Sequence, residues 1–255
     1  MKYGIRNNSL KMEWDESYAV AAEIGFDGVE ICTTKEEHMP RVFNPAPRQK
    51  SKELAKAAGV ETCAISYGYI RQTSFIDPNA ETRKKGVENM KRMIAVAKDM
   101  GCFGILCPTF DRDKIDIDED ETKRFVECYR QCAPTAEREK IYLAIETSFS
   151  VELLQEIVGA VGSPYVKVYQ DVSNALFYGH DTVDMLNRLG GDICMIHIKE
   201  TDSKPLGEGD VDWDGTLRAI RDMGYDDWLV FETGPGDDPV AMAKRNLEWL
   251  KERMA

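Results

Sequence analysis

Short apolar, β-rich runs alternate along this chain with longer stretches in which apolar residues recur every three to four positions, and the alternation continues to the C-terminus. The short runs predict strands at Lys2–Ile5, Gly28–Cys32, Glu61–Ser66, Phe103–Cys107, Ile141–Ile145, Val166–Gln170, Ile193–Ile198 and Trp228–Phe231. Between them, Trp14, Tyr18, Ala21 and Ala22 share a helical face, as do Val87, Met90, Ile94 and Ala97, and later Val240, Ala243, Leu247 and Leu250. Eight units share 255 residues, about 32 each, close to the roughly 30 that a βα unit with its return loop requires. Gly25 and Gly59 stand where helices should close, and Gly234-Pro235-Gly236 interrupts the chain after the last strand. With no long linker and no Gly-x-Gly-x-x-Gly after the first strand, the pattern predicts an α/β fold, a closed (β/α)8 TIM barrel forming a single domain over residues 1–255.

In such barrels the site lies at the C-terminal ends of the strands, so the polar residues found there matter most. Ile-Tyr-Leu-Ala-Ile runs into Glu146, Val-Lys-Val-Tyr-Gln into Asp171, Ile-Cys-Met-Ile leads to His197, and Trp-Leu-Val-Phe runs into Glu232. These are consecutive strands, five to eight, and side chains pointing inward from them at one level converge. Three carboxylates brought together repel one another unless a cation relieves them, so the quartet is expected to hold a divalent metal. Oxygen-rich ligation with one nitrogen suits Mn²⁺ first, with Mg²⁺, Co²⁺ or Zn²⁺ as competitors.

Charge and cysteine usage narrow the partners. The 33 Lys and Arg against 45 Asp and Glu give a net charge of −12, which opposes binding to a phosphate backbone and makes nucleic acid an unexpected partner. No apolar run reaches the roughly 18 residues of a membrane span, and the N-terminal residues lack the pattern of a secretory signal, so a cytoplasmic location is expected. Seven cysteines without a Cys-x-x-Cys pair suggest reduced thiols, with Cys32, Cys63, Cys107 and Cys194 acting as small hydrophobes in the strands.

The chain resembles the xylose isomerase-like TIM barrels, the sugar phosphate isomerase/epimerase group. The resemblance is carried by Gly25-Phe-Asp-Gly-Val-Glu-Ile31, Leu143-Ala-Ile-Glu146, Val168-Tyr-Gln-Asp171, Ile196-His-Ile-Lys-Glu200, Leu206-Gly-Glu-Gly-Asp-Val-Asp-Trp213 and Val230-Phe-Glu232. It implies that Glu146, Asp171, His197 and Glu232 are metal ligands and that Glu146 and Glu232 also move protons. By the same resemblance Glu152, six residues after Glu146, matches a substrate-contacting glutamate. Asn174 and Ser203 stand where ketose 3-epimerases place a His and an Arg, which sets the chain apart from the free-ketose enzymes. Asn174, His180 and Lys199 are further substrate-binding candidates, and Arg71, Lys199 and Lys204 could meet an anionic group. Glu30 is expected to point into the barrel in a structural hydrogen-bonding role, while Tyr67, Tyr69, Phe110, Phe149, Phe177 and Trp213 follow strand ends and could wall a sugar.

The expected activity is a divalent-metal-dependent sugar isomerase or epimerase. Its substrate would be a ketose, a sugar phosphate or a related polyhydroxy carbonyl compound, reacting through an enediolate. One glutamate would remove a proton and the other return it. A lyase of the same family, inosose dehydratase-like or eliminating a β-glycosidic group from a 3-keto-glycoside, is the alternative, because it shares the first proton abstraction. A nuclease at abasic sites would need many more histidines than the three present. The partner is then a small carbohydrate, with neither nucleic acid nor membrane, and barrels of this kind pair through helices or loops into homo-oligomers.

Overall fold

The computed structural model describes residues 1–33, 37–110 and 115–254. Its strands are β1 (Lys2–Arg6), β2 (Gly28–Cys32), β3 (Glu61–Ser66), β4 (Gly104–Thr109), β5 (Tyr142–Thr147), β6 (Val166–Asp171), β7 (Ile193–Ile198) and β8 (Trp228–Phe231). All are parallel, each pairs with its sequence neighbour, and β8 returns to β1 to close the barrel. Helix α1 (Trp14–Ile24) follows β1, and two helices, α2 (His38–Phe43) and α3 (Pro45–Ala58), follow β2. Helices α4 (Ala80–Met100), α5 (Glu119–Glu139) and α6 (Val151–Val161) follow β3, β4 and β5. A second pair, α7 (Val172–Phe177) and α8 (Thr182–Leu189), follows β6, before α9 (Trp213–Asp222) and α10 (Pro239–Met254). Among the described residues no helix is long and apolar enough to cross a membrane.

The expected strands are all present, but β1, β4, β5 and β6 run one or two residues further than the apolar runs do. Arg6, Thr109, Glu146 and Asp171 are thus strand residues, not loop residues. The α1 and α3 helices stop at Gly25 (φ +101°) and Gly59 (φ +73°), left-handed positions where a glycine carries no Cβ penalty.

Alternation along each strand sorts side chains into two cores. Leu143 and Ile145 of β5, Val166 and Val168 of β6, Ile196 and Ile198 of β7, and Leu229 and Phe231 of β8 pack outward under the helices. Ala144, Tyr169, Met195, Trp228 and Val230 fill the lumen together with Cys63, Ala64 and Leu106. Space there is limiting: a Cβ on Gly28 would lie 2.8 Å from the Trp228 ring and 3.0 Å from the Glu61 carbonyl oxygen. All seven cysteines are free and buried, and burial pushes the Cys107 thiol up to about 12.

Candidate metal and active site

A period of two carries the lumen face upward from this apolar floor. Two residues beyond Ala144 is Glu146, beyond Tyr169 is Asp171, beyond Met195 is His197 and beyond Val230 is Glu232. Asp171 and His197 are direct cross-strand neighbours, and the Glu232 amide donates to the Ile198 carbonyl, prolonging the β7–β8 ladder by one step. One ligand-type atom from each of Glu146, Asp171, His197 and Glu232 lies within 4.8 Å of all the others. Nδ1 of His197 faces the three acids, 3.1 Å from Glu232 Oε2, 3.3 Å from Glu146 Oε1 and 3.7 Å from Asp171 Oδ2.

The donor set suits a divalent cation, and Asp171 tests the fit. Its Oδ1 accepts the Ser173 and Asn174 amides at 2.9 and 2.7 Å, capping α7, while its buried Oδ2 has no hydrogen-bond partner and is turned toward the cluster. Its nearest charged neighbours, the Lys199 ammonium at 3.6 Å and His197 Nδ1 at 3.7 Å, are too far to hydrogen-bond, and a buried carboxylate oxygen without a hydrogen bond is costly unless a cation meets it. Left to themselves, the side chains adjust their protonation. Burial pushes the Glu146 carboxyl up, against the pull of His197. Burial also pushes Glu232 up, but Arg6, His197 and Lys199 outweigh it and hold that carboxyl well below its usual range. Burial lowers His197, and Glu30, Glu146 and Glu232 together reverse this and raise it well above its ordinary value.

A cavity of about 350 Å³ opens above the quartet, lined by Arg6, Ser66, Arg71, Phe110, Glu146, Asn174, Tyr178, Lys199 and Glu232 among others. Asn174 bridges its wall, receiving the Lys199 ammonium at 3.1 Å and donating to Glu146 Oε1 at 3.4 Å. Lys199 also lies 3.6 Å from Asp171 and 3.5 Å from Glu232. Asn174 and Lys199 thus both line the cavity. Glu152 and His180 do not reach this cavity's wall. The Glu152 carboxylate is exposed on α6 and paired with Arg188 at 2.6 Å, and His180 Nε2 is held by the Ser148 carbonyl at 2.8 Å. Lys204 is exposed beside Asp202. Of the aromatic candidates, Phe110 lines the cavity, stacked on Tyr178, whereas Tyr67, Phe149 and Trp213 are core residues and Phe177 is 80% exposed.

Three residues beside the quartet were missed or undervalued in the sequence. Arg6 ion-pairs with Glu232 and lies 3.2 Å from Glu30 Oε1, and the Tyr169 hydroxyl donates to Glu30 Oε2 at 2.8 Å. Arg6 carries the same signal as Glu146, Asp171 and Glu232, a polar residue directly after an apolar run, but a guanidinium is not a metal donor and it was passed over. Glu30 does hydrogen-bond inside the barrel as expected, and it also reaches the quartet, 3.4 Å from His197 Nε2.

Comparison with known proteins places this geometry. The model for the xylose isomerase-like TIM barrel matches residues 18–253. The chain belongs to that family. Among its relatives, L-ribulose-5-phosphate 3-epimerase UlaE of Escherichia coli (strain ATCC 8739) is 26% identical over 259 residues, covering 95% of this chain and 90% of that protein. D-psicose 3-epimerase of Clostridium cellulolyticum H10, solved with D-tagatose, superposes with a TM-score of 0.85 at 19% identity over 100% of this chain and 99% of that one. The 3-keto-D-glucoside 4-epimerase YcjR of E. coli gives 0.82 at 19% identity over 99% of each chain. The family barrel is thus shared across its full circuit.

Proposed function

We propose that the protein is a divalent-metal-dependent sugar epimerase or isomerase acting on a ketose, a ketose phosphate or a related polyhydroxy carbonyl compound. The observation that carries this reading is the convergence of Glu146, Asp171, His197 and Glu232 on one point at the floor of a cavity large enough for a small sugar. The full-length similarity to L-ribulose-5-phosphate 3-epimerases supports epimerisation beside a keto group.

Glu146, Asp171, His197 and Glu232 would hold the cation, for which Mn²⁺ is the first candidate. When bound, a divalent ion supplies Lewis acidity toward the oxygens of a polyhydroxy ketone. Glu146 and Glu232 come from strands that are not adjacent, so they meet the substrate from different sides. One takes the proton from the carbon beside the carbonyl and the other delivers one to that carbon's opposite face, which inverts it; delivery to the neighbouring carbon isomerises it instead. Asn174 and Lys199 orient hydroxyl groups, and Phe110 with Tyr178 shields the reacting carbon from water. We place the enzyme in the cytoplasm as a single domain over residues 1–255, taking a small carbohydrate and not nucleic acid or a membrane, and able to form a homo-oligomer.

Proton NMR of ketoses, ketose phosphates, inososes and 3-keto-glycosides in D₂O, with Mn²⁺ removed before acquisition, tests this. An epimer or isomer carrying one deuterium beside the carbonyl is expected, and the exchange should collapse in Glu146→Gln and Glu232→Gln. An unsaturated or deglycosylated product would establish a lyase instead, and undiminished exchange in either variant would refute the proton-transfer roles.

A further inference from the structure

We infer that Glu30 is a positioning residue for the metal site: it fixes the His197 ring so that Nδ1 is the nitrogen offered to the cation, and thereby sets the cation affinity. The inference rests on reading Glu146, Asp171, His197 and Glu232 as a metal quartet. Glu30 enters from β2 and His197 from β7, strands that are not neighbours, so no backbone pairing brings them together. Their side chains nevertheless meet inside the lumen, both fully buried, with Glu30 Oε1 3.4 Å from His197 Nε2. Both atoms are buried without a hydrogen-bond partner. The opposite edge of the same ring carries Nδ1, with three carboxylates within 3.1 to 3.7 Å. Rotating the ring by half a turn about its bond to Cβ would put carbon atoms where both nitrogens now lie.

The ring's proton completes the argument. A neutral imidazole has one N–H and one lone pair, and the partner of the N–H decides which nitrogen is free to ligate. With the Glu30 carboxylate 3.4 Å from Nε2, that nitrogen is the one placed to keep the proton when Nδ1 meets a cation. Glu30 is itself held from two sides. The Tyr169 hydroxyl donates to Oε2 at 2.8 Å, and the Arg6 guanidinium lies 3.2 Å from Oε1 while its other arm pairs with Glu232. A carboxylate placed in the lumen only to fill it would be a poor choice where Ala64 and Val230 pack as neighbours. Its value lies in what it orients.

The test is cation binding by chelator-treated protein, titrated with Mn²⁺ by calorimetry. Glu30→Gln should raise the Kd about 10- to 100-fold, the usual effect of removing a partner of a ligating histidine. Tyr169→Phe, which frees only Oε2, should raise it by a smaller factor. NMR of the zinc-loaded protein supplies a readout that a filling role would not move: the Nε2–H proton of His197, deshielded by the carboxylate beside it in the wild type, should shift upfield in Glu30→Gln. If Glu30→Gln does not fold, Tyr169→Phe carries the test alone. Tight Mn²⁺ binding by the wild type with the same Kd in the folded variants overturns the role of Glu30. No Mn²⁺ binding by the wild type overturns the metal-site reading, and this inference with it.

Discussion

Glu200 should be among the most sensitive residues outside the quartet. It is buried just after β7, and its carboxylate collects the Thr201 hydroxyl at 3.3 Å and four N–H donors from the loop leading to α9 and from Trp213 at that helix's start. Oε1 accepts the Thr201 amide at 2.8 Å and the Val211 amide at 3.3 Å, while Oε2 accepts the Gly207 amide at 3.1 Å and the Trp213 indole N–H at 2.7 Å. Room is scarce, since a Cβ on Gly209 would lie 2.3 Å from Oε1. Glu200→Gln keeps the volume but replaces one oxygen with an amide, and whichever way that amide turns, its N–H groups face two donors. Two charge-assisted hydrogen bonds are lost at about 1.5 to 3 kcal/mol each, so a destabilisation of about 3 to 6 kcal/mol is expected. At about 2 to 4 °C per kcal/mol for a chain of this size, the melting temperature should fall by about 6 to 24 °C. Differential scanning calorimetry measures it. Glu208→Gln is the control, because Glu208 lies on the same loop in an exposed pair with Arg245 and should change stability by about 0.5 kcal/mol or less. A Glu200→Gln melting temperature within 2 °C of wild type would show that the loop is not organised around this carboxylate.

Three further outcomes are expected. Elemental analysis should find about one divalent ion per chain, lost in Asp171→Ala or His197→Ala; Mn²⁺ at 100 times its Kd should add about 2.7 kcal/mol of stability, raising the melting temperature by about 5 to 10 °C, and a chelator should reverse it. Glu232 is held below its usual pKa by Arg6, so its contribution to the stability of chelated protein is present above the unfolded value near 4.3 and is lost as pH falls through the lower folded value; Arg6→Met should cost about 3 to 5 kcal/mol at neutral pH and remove much of that acid-side dependence in urea titrations. Arg71 lines the cavity above Phe110 at 5.6 Å with no carboxylate partner among the described residues, so Arg71→Ala should raise KM for a ketose phosphate more than for the free ketose, and equal changes would count against an anionic contact there.

The barrel was legible because its strands are buried on both faces and read as unbroken apolar runs, each followed by helical periodicity. The helix pairs after β2 and β6 were not, because α2 and α7 are six residues each, too short to show a period. Glu146, Asp171, His197 and Glu232 stood out as polar residues closing apolar runs on consecutive strands. Their surroundings did not: Arg6 closes its run in the same way but is a cation and no metal donor, and Glu30, flanked by Val29 and Ile31, gave no hint of which side chain it would meet across the lumen. Tyr178 lies beyond a helix with no sequence signal. Glu152 shows the opposite case, a residue at the spacing of a substrate contact whose side chain instead pairs with Arg188 on the neighbouring α8.

The charges in the upper lumen explain why these residues belong together. Glu30, Glu146, Asp171 and Glu232 contribute four carboxylates, and among the described residues Arg6 and Lys199 are the Lys or Arg cations within ion-pairing distance of them. With His197 neutral the group is two negative charges out of balance. Protein alone can lessen this only by holding protons, which is the direction in which burial pushes Glu146 and the surrounding acids push His197. A divalent ion at the quartet would restore the balance without those protons and leave both glutamates ionised for the proton transfers we propose. A monovalent ion would leave one charge uncompensated, so Na⁺ or K⁺ should neither stabilise the chelated protein at millimolar concentration nor displace Mn²⁺ from it. Arg6 and Glu30 are then as much a part of the site as the ligands: one sets how much charge the cation must balance, and the other directs the nitrogen that meets it.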